Sequence, residues 1–268
     1  MTRQYNRLIY ERKGGNGEAL WLTLNNESMR NALDDVMQRE LLDVLNEIAF
    51  DASIRCVVFG AAGEKAFCSG GDIGAFRSMD HVSGYDHLVQ RGNAIQRLIT
   101  SMEKPVIAAV NGMCFAGGLE LALACDFIYA TENASFGLLE INLGILAGWG
   151  GTVRLPRTIP VGRAKEMIYR GEVIKASEAY QWGLVNRVFP SKAEMVAGLE
   201  SAVAEIVAKP PLALRAAKMV VNNSLSCGSM DAALSIERGS IMWLRSSDDA
   251  REGVTAFVEK RKPVFTGR

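Results

Sequence analysis

Histidine is almost missing from this 268-residue chain: His81 and His87 are the only two. A histidine-built metal centre or a serine–histidine–aspartate relay therefore has little to draw on. Cysteine is scarce as well, with Cys56, Cys68, Cys114, Cys125 and Cys227 giving an odd count of five. No two stand in CxxC or zinc spacing, and most sit in apolar runs and read as small core residues in a reducing compartment. Net charge is absent too, because 30 Lys+Arg offset 30 Asp+Glu. That balance argues against a partner held by bulk charge, whether nucleic acid or membrane. No apolar run reaches membrane-spanning length, since Arg, Glu or Asp interrupts each one. The opening residues MTRQYNRLIY lack the apolar centre of a signal peptide, and the cytoplasm is the expected location. The glycine groups 60–63 and 148–151 lack the GxGxxG spacing of a dinucleotide site. Ser69 lacks the GxSxG setting of an α/β-hydrolase nucleophile.

What remains is a chain long enough to bury roughly 75% of its unfolded surface without disulfides or metals. Residues 8–12 and 19–24 read as a hairpin around the turn Gly14-Gly15-Asn16-Gly17. A polar loop at 25–33 precedes an amphipathic helix opened by Asp34, with Val36, Leu41, Leu45 and Ile48 on one face. A buried strand at 55–59 follows, then a loop of small residues at 60–72. A helix near 86–102 turns Leu88, Ile95, Leu98 and Ile99 inward, and Pro105 stops it. Buried strands at 106–110 and 127–130 flank a glycine-rich helix. This is a loose ββα recurrence of about 40 to 50 residues, which right-handed connections wind into a spiral of stacked sheets. From 191 onward four helical stretches follow, near 192–208, 211–223, 229–246 and 248–260, and suggest a packing or oligomerisation region on the α/β core of 1–190.

The chemistry concentrates in 111–155. Gly117-Gly118 runs into an apolar helix carrying Glu120, and a second isolated carboxylate, Glu140, follows in FGLLEINLGI. Acids in apolar surroundings are costly unless something uses them. Ser69-Gly70-Gly71-Asp72 and Ala116-Gly117-Gly118 each follow a buried strand, and backbone N–H groups of such turns can aim at one anion. On glycine alone, two tight turns that need only backbone freedom explain the pattern as well. Glu120 alone could be a solvated first-turn residue favoured by the helix dipole. Glu140 alone could pair with a nearby Arg such as Arg154. Cys68, with no histidine in a matching motif, is a packed thiol. The two histidines read as surface residues on a loop.

Several longer segments together decide between these readings. LNNESMRNALD, KAFCSGGDI (65–73), KPVIAAVNG (104–112), AGGLELALACDFIYA (116–130), FGLLEINLGILAGWGGTVRL (136–155) and the ending FVEKRKPVF resemble the enoyl-CoA hydratase/isomerase (crotonase) superfamily over essentially the whole chain. The resemblance implies an α/β spiral of ββα turns followed by a C-terminal all-helical trimerisation region. It implies a homo-oligomer, a trimer or a dimer of trimers. The substrate it implies is an acyl-CoA thioester, with no cofactor beyond the coenzyme A of the substrate itself and no metal. By motif position Glu120 and Glu140 are the catalytic pair, and the N–H groups of Gly71 and Gly117 form the oxyanion hole. Coenzyme A runs along 65–73, touching Ala66, Ser69, Asp72 and Ile73, with Arg30 toward its phosphates.

Departures from the family pattern also carry information. Ala116 stands where many members have glycine, and Gly71 where many have alanine. Leu138-Leu139-Glu140 replaces a common Gln-Pro-Glu, and Trp149 replaces a small residue, which places a bulky indole near the acyl pocket. Met79, Tyr85 and Leu88 are further candidates for the acyl wall. The reaction implied is hydration of a 2-enoyl-CoA. Isomerases of this superfamily commonly keep only the second acid, and dehydration or decarboxylation of a special acyl-CoA is the remaining rival. Some relatives bind RNA, but the basic runs here are short, chiefly Lys260-Arg261-Lys262, and read as a solvated face.

Overall fold

The computed structural model describes residues 5–78 and 83–268, without the side chains of 76, 78 and 83–85. It opens with β1 (Leu8–Lys13) and β2 (Ala19–Leu24), an antiparallel hairpin closed by the Gly17 N–H on the Gly14 carbonyl. A short 3-10 turn (Glu27–Met29) leads to α1 (Asp35–Ala49). Asp34 caps α1, its carboxylate accepting from the Met37 N–H at 2.8 Å. The buried face of α1 is Met37, Gln38, Leu41, Val44, Leu45 and Ile48; Leu41, Leu45 and Ile48 face inward as expected, while Val36 is only half-buried and Met37 takes its place in the first turn.

Then the spiral begins. β3 (Cys56–Ala61) is followed by β4 (Ala66–Cys68), α2 (Ile73–Ser78) and α3 (Ser83–Ser101). The next turn is β5 (Val106–Val110), β6 (Met113–Phe115) and α4 (Gly117–Ala124). The third is β7 (Phe127–Thr131), β8 (Ser135–Gly137), a 3-10 turn (Glu140–Leu143), α5 (Gly151–Thr158) and α6 (Val161–Arg170). β9 (Ile174–Lys175), α7 (Ala176–Gln181) and β10 (Arg187–Phe189) complete it. Each turn gives one long strand to a six-stranded sheet, order β1-β2-β3-β5-β7-β10, and one short strand to a four-stranded sheet, order β4-β6-β8-β9. From β2 to β10 the large sheet is parallel. The short strands were not legible: 60–72 reads as loop yet holds β4, and β6 stands between the Asn111-Gly112 turn and the glycine-rich helix.

Parallel strands buried on both faces should be apolar throughout, with alternate residues serving opposite layers. β5 does this: Val106, Ala108 and Val110 join the main core, while Ile107 and Ala109 join a second layer with Trp21, Val58 and Tyr129. That second layer is covered by α8 (Lys192–Val207) through Met195, Leu199 and Val203. Beyond it lie α9 (Pro211–Ser224), α10 (Met230–Arg245) and α11 (Asp248–Val258), all within a residue or two of the expected stretches. Lys218 of α9 fastens them to the spiral, donating to the carbonyls of Ile99 and Lys104 and to Asp126. Met230, Ile241, Met242, Phe257 and Val258 are exposed on these helices. Among the described residues no helix is long and apolar enough to cross a membrane.

Candidate active site

The site grows from the way α4 is seated. All eight of its residues are buried, which is uncommon for so short a helix, and its first turn lies directly on β4. Gly118 makes that approach feasible, because a Cβ there would overlap the backbone of Cys68. Cys68 itself is fully buried, and burial pushes its thiol up to about 12, as a packed cysteine requires. Ahead of the helix, Ala116 holds φ +50° and ψ −126°, a conformation that glycine adopts more readily.

Glu120 is therefore not a solvated first-turn acid but a buried one, 2% exposed. Its Oε1 accepts from the N–H of Trp149 at 2.8 Å and of Gly151 at 2.7 Å. Gly151 has no room for a side chain: a Cβ would lie 2.9 Å from both Glu120 Cγ and Leu138 Cδ2. Two amide donors favour the charged form, yet burial outweighs them, and the nearby Glu140 charge adds to it. The carboxyl is pushed up to about 7.

Glu140 opens the 3-10 turn after β8 and is half-buried. Burial raises its pKa as well. It makes no ion pair with Arg154, whose Nη1 donates instead to Gln96 and, at 3.1 Å, to the Trp149 carbonyl. Among the described residues Glu140 Oε2 is enclosed without a hydrogen-bond partner.

The two glycine turns abut. Gly71 bridges to Leu33, the Gly70 carbonyl accepts from the Leu33 N–H at 2.8 Å, and a Cβ on Gly117 would lie 3.6 Å from the Gly71 nitrogen. Among the described residues neither the Gly71 nor the Gly117 N–H donates to another backbone group. Arg30, exposed and at φ +52°, lies beside Ser69, whose N–H donates to the Arg30 carbonyl at 3.1 Å. Ala66 is buried in β4, its carbonyl taken by Asn31 Nδ2 at 2.9 Å. Asp72 caps α2, accepting from the Gly74 and Ala75 N–H groups, and Ile73 is exposed next to it.

Trp149 is 5% exposed, its indole laid flat on α3 where Gly92 leaves room; any Cβ at 92 would overlap the ring. Leu88, also on α3, lines a cavity of about 170 Å³ with Leu33, Gln38, Asp72, His87 and Arg91. His87 is on the surface, though on this helix and not a loop. Met79, His81 and the Tyr85 side chain lie outside the described residues. In the basic run near the C-terminus, Arg261 is engaged by Glu252 and Glu259.

Sequence reasoning missed Gln96, Gly92 and Asn31. The first had a signal: the inward stripe of α3 is Leu88, Gly92, Ile95, Gln96 and Ile99, and a glutamine within it contradicts the apolar period. Asn31, buried and at φ +55°, ties the 25–33 loop to the carbonyls of Ala62 and Ala66.

Comparison with known proteins bears on this geometry. The family model described as enoyl-CoA hydratase/isomerase matches residues 15–268. The short-chain-enoyl-CoA hydratase of Clostridium acetobutylicum is 37% identical over 97% of this chain and 97% of its own length. The 2,3-dehydroadipyl-CoA hydratase of Escherichia coli is 40% identical over 93% and 95%. The crystal structure of an enoyl-CoA hydratase from Bacillus anthracis superposes with a TM-score of 0.94 at 36% identity, covering 98% of this chain and all of that one.

Proposed function

This chain belongs to the enoyl-CoA hydratase/isomerase family, and on that premise we propose that it is a hydro-lyase adding water across the 2,3-double bond of an enoyl-CoA thioester. The observation that carries the reading is the pairing of two carboxyls raised by burial, one gripped through a single oxygen by two amides, beside two abutting glycine turns. A lone oxyanion hole would serve many acyl-CoA reactions. Two acids close enough to sense each other suit an addition that needs a proton removed and a proton supplied.

The thioester oxygen accepts from the N–H groups of Gly71 and Gly117, and those bonds strengthen as charge builds on it; one such donor is worth roughly 3 kcal/mol of barrier. Both amide bonds to Glu120 fall on Oε1, which leaves Oε2 to orient and deprotonate the attacking water. Glu140 delivers a proton to C2 from the same face. A carboxyl raised above its ordinary value holds that proton nearer neutral pH. Arg30, exposed beside the Ser69 backbone, meets the coenzyme A phosphates, with Ala66, Asp72 and Ile73 along the pantetheine. Trp149 and Leu88 belong to the acyl wall. Incubation with 2-enoyl-CoA thioesters of increasing length tests this reading: loss of the conjugated enoyl absorbance is expected, and no loss with any of them refutes it.

The exposed apolar residues of α10 and α11 are the surface through which copies of the chain assemble, as a trimer or a dimer of trimers. Light scattering at micromolar protein reads this directly; a monomer mass overturns it.

A further inference from the structure

Behind the amide cradle of Glu120 lies a buried polar pair that the proposed chemistry leaves without a task. Gln96 is fully buried on α3; its Oε1 accepts from Arg154 Nη1, and among the described residues its Nε2 has no partner. The same Nη1 donates to the Trp149 carbonyl at 3.1 Å, and the Trp149 N–H donates to Glu120 at 2.8 Å. That carbonyl lies, in sequence, between the two donating N–H groups of 149 and 151. The guanidinium also fills the space beside Gly150, which sits at φ +100°, where any Cβ would overlap it. Contact thus runs unbroken from α3 through one guanidinium to the catalytic carboxylate. Arg154 is partly buried, yet among the described residues the one carboxylate whose charge acts on it is that of Glu120.

We propose that Arg154 is a positioning residue for the hydration: it fixes the 149–151 turn so that both N–H groups stay aimed at Glu120, and it favours the ionised carboxylate from behind. Gln96 decides where the guanidinium sits. A neutral amide is suited to that task, because it accepts a hydrogen bond without cancelling the charge Glu120 senses. The inference rests on the reading of Glu120 as the group that handles the attacking water.

The other groups around Glu120 leave this role to Arg154. Glu140, from the 3-10 turn, opposes ionisation. The thiols of Cys68 on β4, Cys114 on β6 and Cys125 at the end of α4 are held protonated by burial, and α3 presents the neutral Gln96. Arg154 is the positive group acting on the carboxylate.

The test compares Arg154→Met, Arg154→Lys, Gln96→Leu and Gln96→Glu with wild type by kcat, KM and pH–rate profile. The Glu120 carboxyl is titrated separately in each, by infrared difference against the same protein carrying Glu120→Gln. Arg154→Met is expected to lower kcat about 10- to 100-fold with KM within about twofold. It also moves the Glu120 midpoint, and with it the acid limb of activity, up by about one pH unit. Arg154→Lys restores the midpoint but only part of kcat. Gln96→Glu, which keeps the tie and adds a charge that offsets the guanidinium's, raises the midpoint; Gln96→Leu lowers kcat and leaves the midpoint nearer wild type. A Glu120 midpoint unmoved in both Arg154→Met and Gln96→Glu overturns the inference, even where stability falls, because it marks a merely structural link. Should Arg154→Met fail to fold, Gln96→Glu decides by the same midpoint. A wild type that hydrates no enoyl-CoA refutes the function instead, and the titration stays readable.

Discussion

Glu120 and Glu140 stand in similar apolar segments of successive spiral turns and end in different circumstances. The first lies in the first turn of a wholly buried helix and has one oxygen clamped by the Trp149 and Gly151 amides. The second starts a 3-10 turn and is half-buried; its own N–H and that of Leu139 favour its charged form, while among the described residues its Oε2 has no hydrogen-bond partner. Burial raises both, but the clamp fixes the geometry of Glu120, while an enclosed oxygen without a donor is best accommodated by a proton. On the proposed mechanism, one residue type thus supplies a positioned base and a proton store.

The largest effect should come from separating the two roles. Glutamine at either position lowers hydration kcat by about 10²–10⁴-fold, since each removes an acid or base from the step. The variants then part company in a half-reaction. With a saturated acyl-CoA in D₂O, proton exchange at C2 should survive in Glu120→Gln and vanish in Glu140→Gln, as followed by NMR. Exchange lost equally from both would merge the two roles.

A smaller effect is thermodynamic. The folded-state pKa of Glu120 lies above its ordinary 4.5, at about 7, so between these values the native state keeps a proton that the unfolded chain has released. Stability therefore falls as pH rises through this window. Glu120→Gln keeps an oxygen for the two amides and removes the buried charge, so it should be more stable than wild type by on the order of 2–3 kcal/mol at pH 8, with the gain fading toward pH 5. Urea unfolding at the two pH values measures it, and a pH-independent difference would detach the carboxyl from the stability of the site.

Five strands of the long sheet were legible because they are long enough to show apolar runs such as Val106–Val110, and α1, α3 and the C-terminal helices because their inward stripes repeat; α6, α7 and β10, between 161 and 189, were not. The four-stranded sheet was not. Strands of two or three residues carry no periodicity, and β4, β6, β8 and β9 exist because the spiral lays them side by side. The site divides the same way. The two acids and two glycine turns stood out as charge in apolar sequence and glycine in clusters. Gln96 reaches Arg154 only through tertiary packing, and a buried glutamine among Leu88, Ile95 and Ile99 looks in sequence like a break in the pattern.

The smallest effect concerns the entrance to α4. Ala116 carries a Cβ at φ +50°, so Ala116→Gly should relieve strain and stabilise by about 1 kcal/mol, read as a shift of a few degrees in Tm. A loss would mean that packing of the methyl outweighs the strain.

The fit of the Trp149 indole over Gly92 has a consequence for altering this protein. A larger residue at 92 evicts the indole, and a smaller one at 149 opens a void against α3, so neither position can be redesigned alone. Any effort to reshape the molecule on this side has to treat the two as one unit of substitution, chosen together.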